Sequence, residues 1–169
     1  MDILHVKGLG SIAIKNASCS ISPEELAGLI RRKNRNGIVV QAFDKGRIIC
    51  SVHLAGAYAD ALASFKSGTN KSERIEIEML MFAAFTDRIT QAISNVGVKS
   101  CSGFVLFSNG KLGLEKLGLD GIMIGRDFNP SLVEIKKRAK LAGIDVRGKG
   151  RRGIDVEVLQ RMALSRLSQ

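Results

Sequence analysis

The chain has no tryptophan, one tyrosine, two prolines and three cysteines in 169 residues. Cys19, Cys50 and Cys101 stand far apart with no paired spacing, which argues against a disulfide framework or a zinc site and points to a reducing cytosol. His5 and His53 have no carboxylate or cysteine at ligand spacing, so each reads as an ordinary structural or surface histidine and no metal site is expected. Long apolar runs are missing too. The longest, Met79 to Phe85, falls well short of the roughly 20 residues of a membrane span. The opening MDILHVKGLG lacks the basic start and apolar core of a secretion signal, so a cytoplasmic location and no membrane partner are expected.

A catalytic constellation is also lacking. No phosphate loop of the Walker type is present, and neither histidine has a partner for acid–base or nucleophilic work, so no catalytic residue, cofactor or enzymatic activity is expected. Gly148-Lys149-Gly150-Arg151-Arg152-Gly153 does match G-x-G-x-x-G. A dinucleotide fold, however, needs a helix, a second strand and an acid about 20 residues further on. Only 16 residues follow Gly153. A flexible turn is the expectation, with a phosphate contact as its alternative, because three basic side chains surround a helix start whose free N–H groups favour anions.

What the chain has in excess is positive charge. Its formal net charge is +10, and from Ser131 onward ten Lys and Arg face only four acids. Such a balance eases approach to polyanions without specifying a fold. Solubility charge is the bland account and RNA the specific one. With 45% apolar and 25% charged residues, the composition fits a soluble globular protein. One domain spanning residues 1–169 is expected, long enough to bury roughly 70% of its unfolded surface.

Patterning gives an α+β fold: a small, mostly antiparallel sheet packed against several helices. Strands are expected at Ile3–Val6, Ile12–Ile14, Ile38–Phe43, Gly103–Phe107 and Gly121–Ile124, with a short return at Arg47–Cys50 and an extended piece at Ile144–Val146. Ser22-Pro23-Glu24-Glu25 has the residues of a capping box and opens a helix to about Lys33. Further helices are expected at Ser51–Phe65, around Leu112–Leu117, from Asn129-Pro130 to Gly143, and from about Asp155 to Leu167.

The segment Thr69–Val98 is the most informative. A polar turn, Thr69 to Ser72, opens a helix with almost no polar face beyond Glu76 and Glu78, so it should be buried nearly all round or docked to a partner. Glu78 must find a donor, because an unpaired buried charge costs several kcal/mol (roughly 3–5). A break at Thr86-Asp87 starts a second helix with Ile89, Ala92, Ile93 and Val96 on one face and Gly97 as its stop. Lys71, Arg74 and Arg88 at these turns are candidates for RNA backbone contact, or surface decoration. In the last helix, Val158, Leu159, Met162, Ala163 and Leu167 form an apolar stripe beside Arg161 and Arg166.

Glu78, Leu80, Ile89, Ala92, Ile93, Gly97 and Val98, in that spacing, resemble the kinase-binding small subunit of the KEOPS complex, known in animals as the PRPK-binding protein. His53 and the alanine-rich helix after it, the short first strand, and the tail VLQRMALSRL are similar to that family as well. One departure is that archaeal members often carry Arg-Gln before the Ile, whereas here Asp87-Arg88 puts the Arg one residue later, about 100° around a helix.

The resemblance implies a non-catalytic accessory subunit of the tRNA threonylcarbamoyladenosine-modifying complex. It would bind and stimulate the atypical kinase/ATPase subunit directly and meet the threonylcarbamoyl transferase and dimerisation subunits only within the same complex. It would also recruit tRNA through its CCA end. Leu159, Met162, Ala163, Arg166 and Leu167 would then dock on the kinase. A helix packed only on its own domain is the structural alternative for that stripe. A stand-alone basic RNA-binding module is the alternative for the whole chain.

Overall fold

The computed structural model describes the backbone of residues 4–6, 10–110 and 114–167, with side chains for 10–110, 114 and 116–165. The chain is α+β. Within the 1–169 span it forms two compact units, Met1–Lys45 with Gly97–Phe128, and Gly46–Val96 with Asn129–Gln169.

The first unit holds the strands β1 (Leu4–Val6), β2 (Gly10–Cys19), β3 (Val40–Asp44), β4 (Phe104–Ser108) and β5 (Ile122–Asp127), helix α1 (Pro23–Lys33) and a 3₁₀ turn at Leu114–Leu117. Every pairing is antiparallel, in the order β1-β2-β4-β3, with β5 also paired to β2. β2 runs five residues beyond the expected Ile14 because β4 takes its backbone groups along Ala13–Ala17 while β5 takes those of Lys15–Cys19. In register, Leu106 lies opposite both Lys15 and Ala42.

The apolar run Phe104–Phe107 is buried at every position, as expected of a strand without a solvent face. Helix α1 begins with the expected capping box. The Glu25 N–H donates to Ser22 Oγ at 3.1 Å and the Ser22 N–H donates to Glu25 Oε2 at 2.8 Å. Its buried Leu26 and Ile30 join Ala13, Ala17, Val40 and Leu106 in one core. At the Asn109-Gly110 turn φ is +70° and a Cβ would collide with the Ser11 carbonyl, so only glycine fits.

The second unit is helical: α2 (Ser51–Ser67), α3 (Ile75–Ala83), α4 (Ile89–Val96), α5 (Leu132–Leu141) and α6 (Arg151–Leu167). α2 packs on α3 and α6, α3 on α4, and α5 on α6. Helix α3 is buried nearly all round, as its composition requires. The expected short strand at Arg47–Cys50 is instead a loop. Its backbone bonds to side chains, with Arg138 Nη1 donating to the Ile48 carbonyl at 3.3 Å and the Ile49 N–H donating to His53 Nδ1 at 3.2 Å.

Ile144–Val146 forms no strand either. The Ile144 N–H returns to the Ala139 carbonyl at 2.9 Å, closing α5 through Gly143 at φ +73°. The cap of α5 is Ser131, boxed with Glu134, rather than the preceding Asn129-Pro130. Helix α6 starts four residues before Asp155, with Ile154 N–H donating to the Gly150 carbonyl at 3.2 Å. Among the described residues no helix is long and apolar enough to cross a membrane.

Candidate docking and phosphate-binding surfaces

The α3–α4 region is built around two buried polar groups. Glu78, 1% exposed, accepts from the backbone N–H of Ser72 at 2.9 Å and of Lys71 at 3.1 Å, and from Ser64 Oγ at 3.4 Å. The acid therefore caps the 70–72 turn from inside the unit, spending its charge on orphan backbone donors. His53 sits at the start of α2, its Nδ1 accepting from Ile49 and its Nε2 donating to the Ala83 carbonyl at 2.9 Å. Burial pushes this imidazole down to about 4, partly offset by the Ala83 bond. Its ring stacks on Phe85, which holds the left-handed backbone at φ +52° that ends α3. His5 has no described side chain.

Two of the three RNA candidates are already paired with acids. Lys71 Nζ lies 3.1 Å from Asp87 Oδ2, which ties the 70–72 turn to the start of α4 and draws that carboxyl below its usual range. Arg74 is paired with Glu76, donating from Nε at 2.6 Å. Arg88 alone of the three has no ion pair among the described residues. On α4 the expected single apolar face divides. Ala92 and Val96 are buried, while Ile89 and Ile93 are 39% and 49% exposed. The i, i+4 pairs 92/96 and 89/93 lie on adjacent ridges, and only the first reaches the core.

Helix α6 divides in the same way. Ile154, Val158 and Met162 are fully buried, and Met162 and Leu159 approach Gly56 of α2, where the missing side chain makes room for them. Met162 is thus an internal anchor and offers no surface, which corrects its expected place on an accessible docking stripe. Val156, Leu159, Ala163 and Leu164 are exposed, an apolar strip on the outward side of the same helix. The side chains of Arg166 and Leu167 lie outside the described residues. Of the three basic side chains in 148–153, whose last three residues open α6, Lys149 is neutralised while Arg151 and Arg152 keep their charge. Lys149 pairs with Glu157, Arg151 donates to Asn129 Oδ1 at 3.0 Å, and Arg147 forks onto Asp145.

A cleft of about 250 Å³ opens in the helical unit, a feature with no sequence signal because its lining comes from five separated segments. Arg47, Arg138 and Arg161 line it together with Phe85, Asn95 and Val96. Arg138 is 8% exposed and fixed by the Ile48 carbonyl and by Glu134, whose Oε1 is 3.2 Å from its Nη2. Arg47 and Arg161 are exposed and have no ion pair among the described residues.

Cys50 is buried. Burial pushes its thiol up to about 12, and its Sγ donates to Asp155 Oδ1 at 3.2 Å. Among the described residues no group of three or more His, Cys, Asp or Glu is placed to hold a metal ion. No protein-family model matches this chain, and no curated protein sequence does.

Proposed function

We propose that this chain is a non-catalytic accessory subunit of the KEOPS tRNA threonylcarbamoyladenosine-modifying complex, acting in the cytoplasm. It binds and stimulates the atypical kinase/ATPase subunit and recruits tRNA through its CCA end. The observation that carries this reading is the two-sided α6, anchored inward by Ile154, Val158 and Met162 while Val156, Leu159, Ala163 and Leu164 face outward. An apolar helix face of this kind suits a partner's groove. The spacing Glu78, Leu80, Ile89, Ala92, Ile93 and Gly97 supports the family resemblance, and Arg88, next in the chain to the Asp87 that Lys71 pairs with, supports phosphate contact.

The test is capture of the purified kinase subunit. Leu159→Arg and Ala163→Arg should abolish capture while the far-ultraviolet spectrum stays that of the parent, and Ala163→Arg, at the fully outward position, should keep the parent's Tm as well. Undiminished capture by both variants would overturn the reading. For the RNA limb, crosslinking to tRNA should strengthen with the kinase subunit present and fall on removal of the CCA end.

A second reading, a stand-alone basic RNA-binding module, is favoured by Lys136, Lys137, Lys140 and Arg152, which have no ion pair among the described residues. Equal affinity for tRNA with and without its CCA end would select it.

A further inference from the structure

We propose that the cleft lined by Arg47, Arg138 and Arg161 is a binding site for a nucleoside monophosphate unit, with its phosphate on the guanidinium groups and its base against Phe85 and Val96. This goes beyond the docking reading above and does not rest on it. Three arginines line one small concavity, and no acid belongs to the lining. Glu134 pairs with Arg138, while Arg47 and Arg161 have no ion pair among the described residues and leave the mouth positively charged. Planar guanidinium forks match phosphate oxygens in pairs, and Arg138 is already oriented by Glu134 and the Ile48 carbonyl before any ligand arrives.

The rest of the wall is mostly apolar, with Ala84, Phe85, Val96 and Leu141, and Asn95 adds an amide able to read a base edge. Phe85 carries a second, independent mark. It holds φ +52°, a conformation that costs a bulky side chain about 1–2 kcal/mol, and His53 stacks parallel to it at 5.1 Å. Strain of this sort persists where surrounding structure over-determines it, and it gathers at ligand sites. The volume, about 250 Å³, falls just below the usual range of ligand pockets, roughly 300–1,000 Å³. One nucleotide suits it better than a dinucleotide. With no carboxylate in the lining to hold the magnesium of a triphosphate, a monophosphate is the fitting charge state.

The experiment is titration of the full chain with AMP, adenosine and inorganic phosphate, followed by calorimetry and by amide and arginine side-chain NMR shifts. AMP should bind with a Kd of about 1 mM or tighter. Adenosine and inorganic phosphate should each bind at least about tenfold more weakly, because each keeps only half of the contacts. Arg47→Gln with Arg161→Gln, both at exposed positions, should weaken AMP about tenfold or more without changing Tm. A Kd for AMP unchanged in that double variant, phosphate binding as tightly as AMP, or no AMP binding at all would overturn the proposal.

A short single-stranded RNA separates the two sources of this chemistry. Displacement of AMP by the RNA assigns the site to a strand end, and retention assigns it to a free mononucleotide. Kinase capture is measured separately, so either proposal can fail alone.

Discussion

The His53 imidazole lies flat on the Phe85 ring, with centroids 5.1 Å apart and planes 6° from parallel, while both of its nitrogens are held by backbone groups on separate segments. The Nδ1 acceptor role requires a neutral ring, and burial holds its proton affinity down to about 4 against an ordinary 6.5. The unfolded chain therefore takes up a proton below about pH 6.5 that the folded chain refuses until about 4. Stability is full above that window and falls as pH drops through it, by on the order of 3 kcal/mol. Urea unfolding at pH 7, 5.5 and 4.5 should show this loss. His53→Gln, less stable at pH 7, should flatten the slope, and an equal slope in both proteins would remove His53 as its source.

Glu78 makes a second stability prediction. Glu78→Gln replaces a charged acceptor of two N–H groups with a neutral one and should cost about 1.5–3 kcal/mol. Glu78→Ala, which leaves those donors buried without a partner, should cost more. Hydrogen exchange of the Lys71 and Ser72 amides should accelerate in both variants while α5 amides keep their protection. Exchange unchanged at 71 and 72 would mean that the turn closes without the carboxylate.

How much of this was legible in the sequence depends on the range of the interaction. The Ser22/Glu25 capping box, the all-round burial of α3 and the need of Glu78 for a donor follow from residues within one or two turns of each other, and the structure bears them out. Arg47–Cys50 misled because a short apolar stretch reads as a strand, whereas its backbone partners are His53 and, 90 residues away, Arg138. Periodicity put Met162 and Leu159 on one stripe. Gly56, more than 100 residues earlier, decides that the first is buried and the second half-exposed. The arginine cleft left no local trace, since the loop residue Arg47 meets Arg138 of α5 and Arg161 of α6 only through tertiary packing.

That division of α6 predicts opposite behaviour for neighbouring substitutions. Met162→Ala empties a fully buried site and should cost about 2–5 kcal/mol. Ala163→Glu, on the exposed side, should stay within about 0.5 kcal/mol. Gly56→Ala should be nearly neutral, because the atoms it meets are the flexible ends of Met162 and Leu159, whereas Gly56→Leu should expel them and lower Tm sharply. Thermal unfolding of the four variants checks the set. A Met162→Ala protein as stable as its parent would contradict the inward placement.

The three cations of the α3–α4 region should contribute unequally to RNA binding, because two of them already have partners. Each phosphate contact adds about one unit to the slope of log affinity against log salt. Arg88, without an ion pair among the described residues, enters such a contact at little cost, whereas Lys71 must leave Asp87 and Arg74 must leave Glu76. Arg88→Ala should therefore lower the slope for tRNA by about one, and Arg74→Ala by less. Asp87→Asn releases Lys71 and removes a negative charge beside Arg88, so it should tighten binding at low salt. Filter binding between about 50 and 200 mM salt reads all three effects. A weaker complex with Asp87→Asn would show that the carboxylate orders the turn for RNA rather than competing with it.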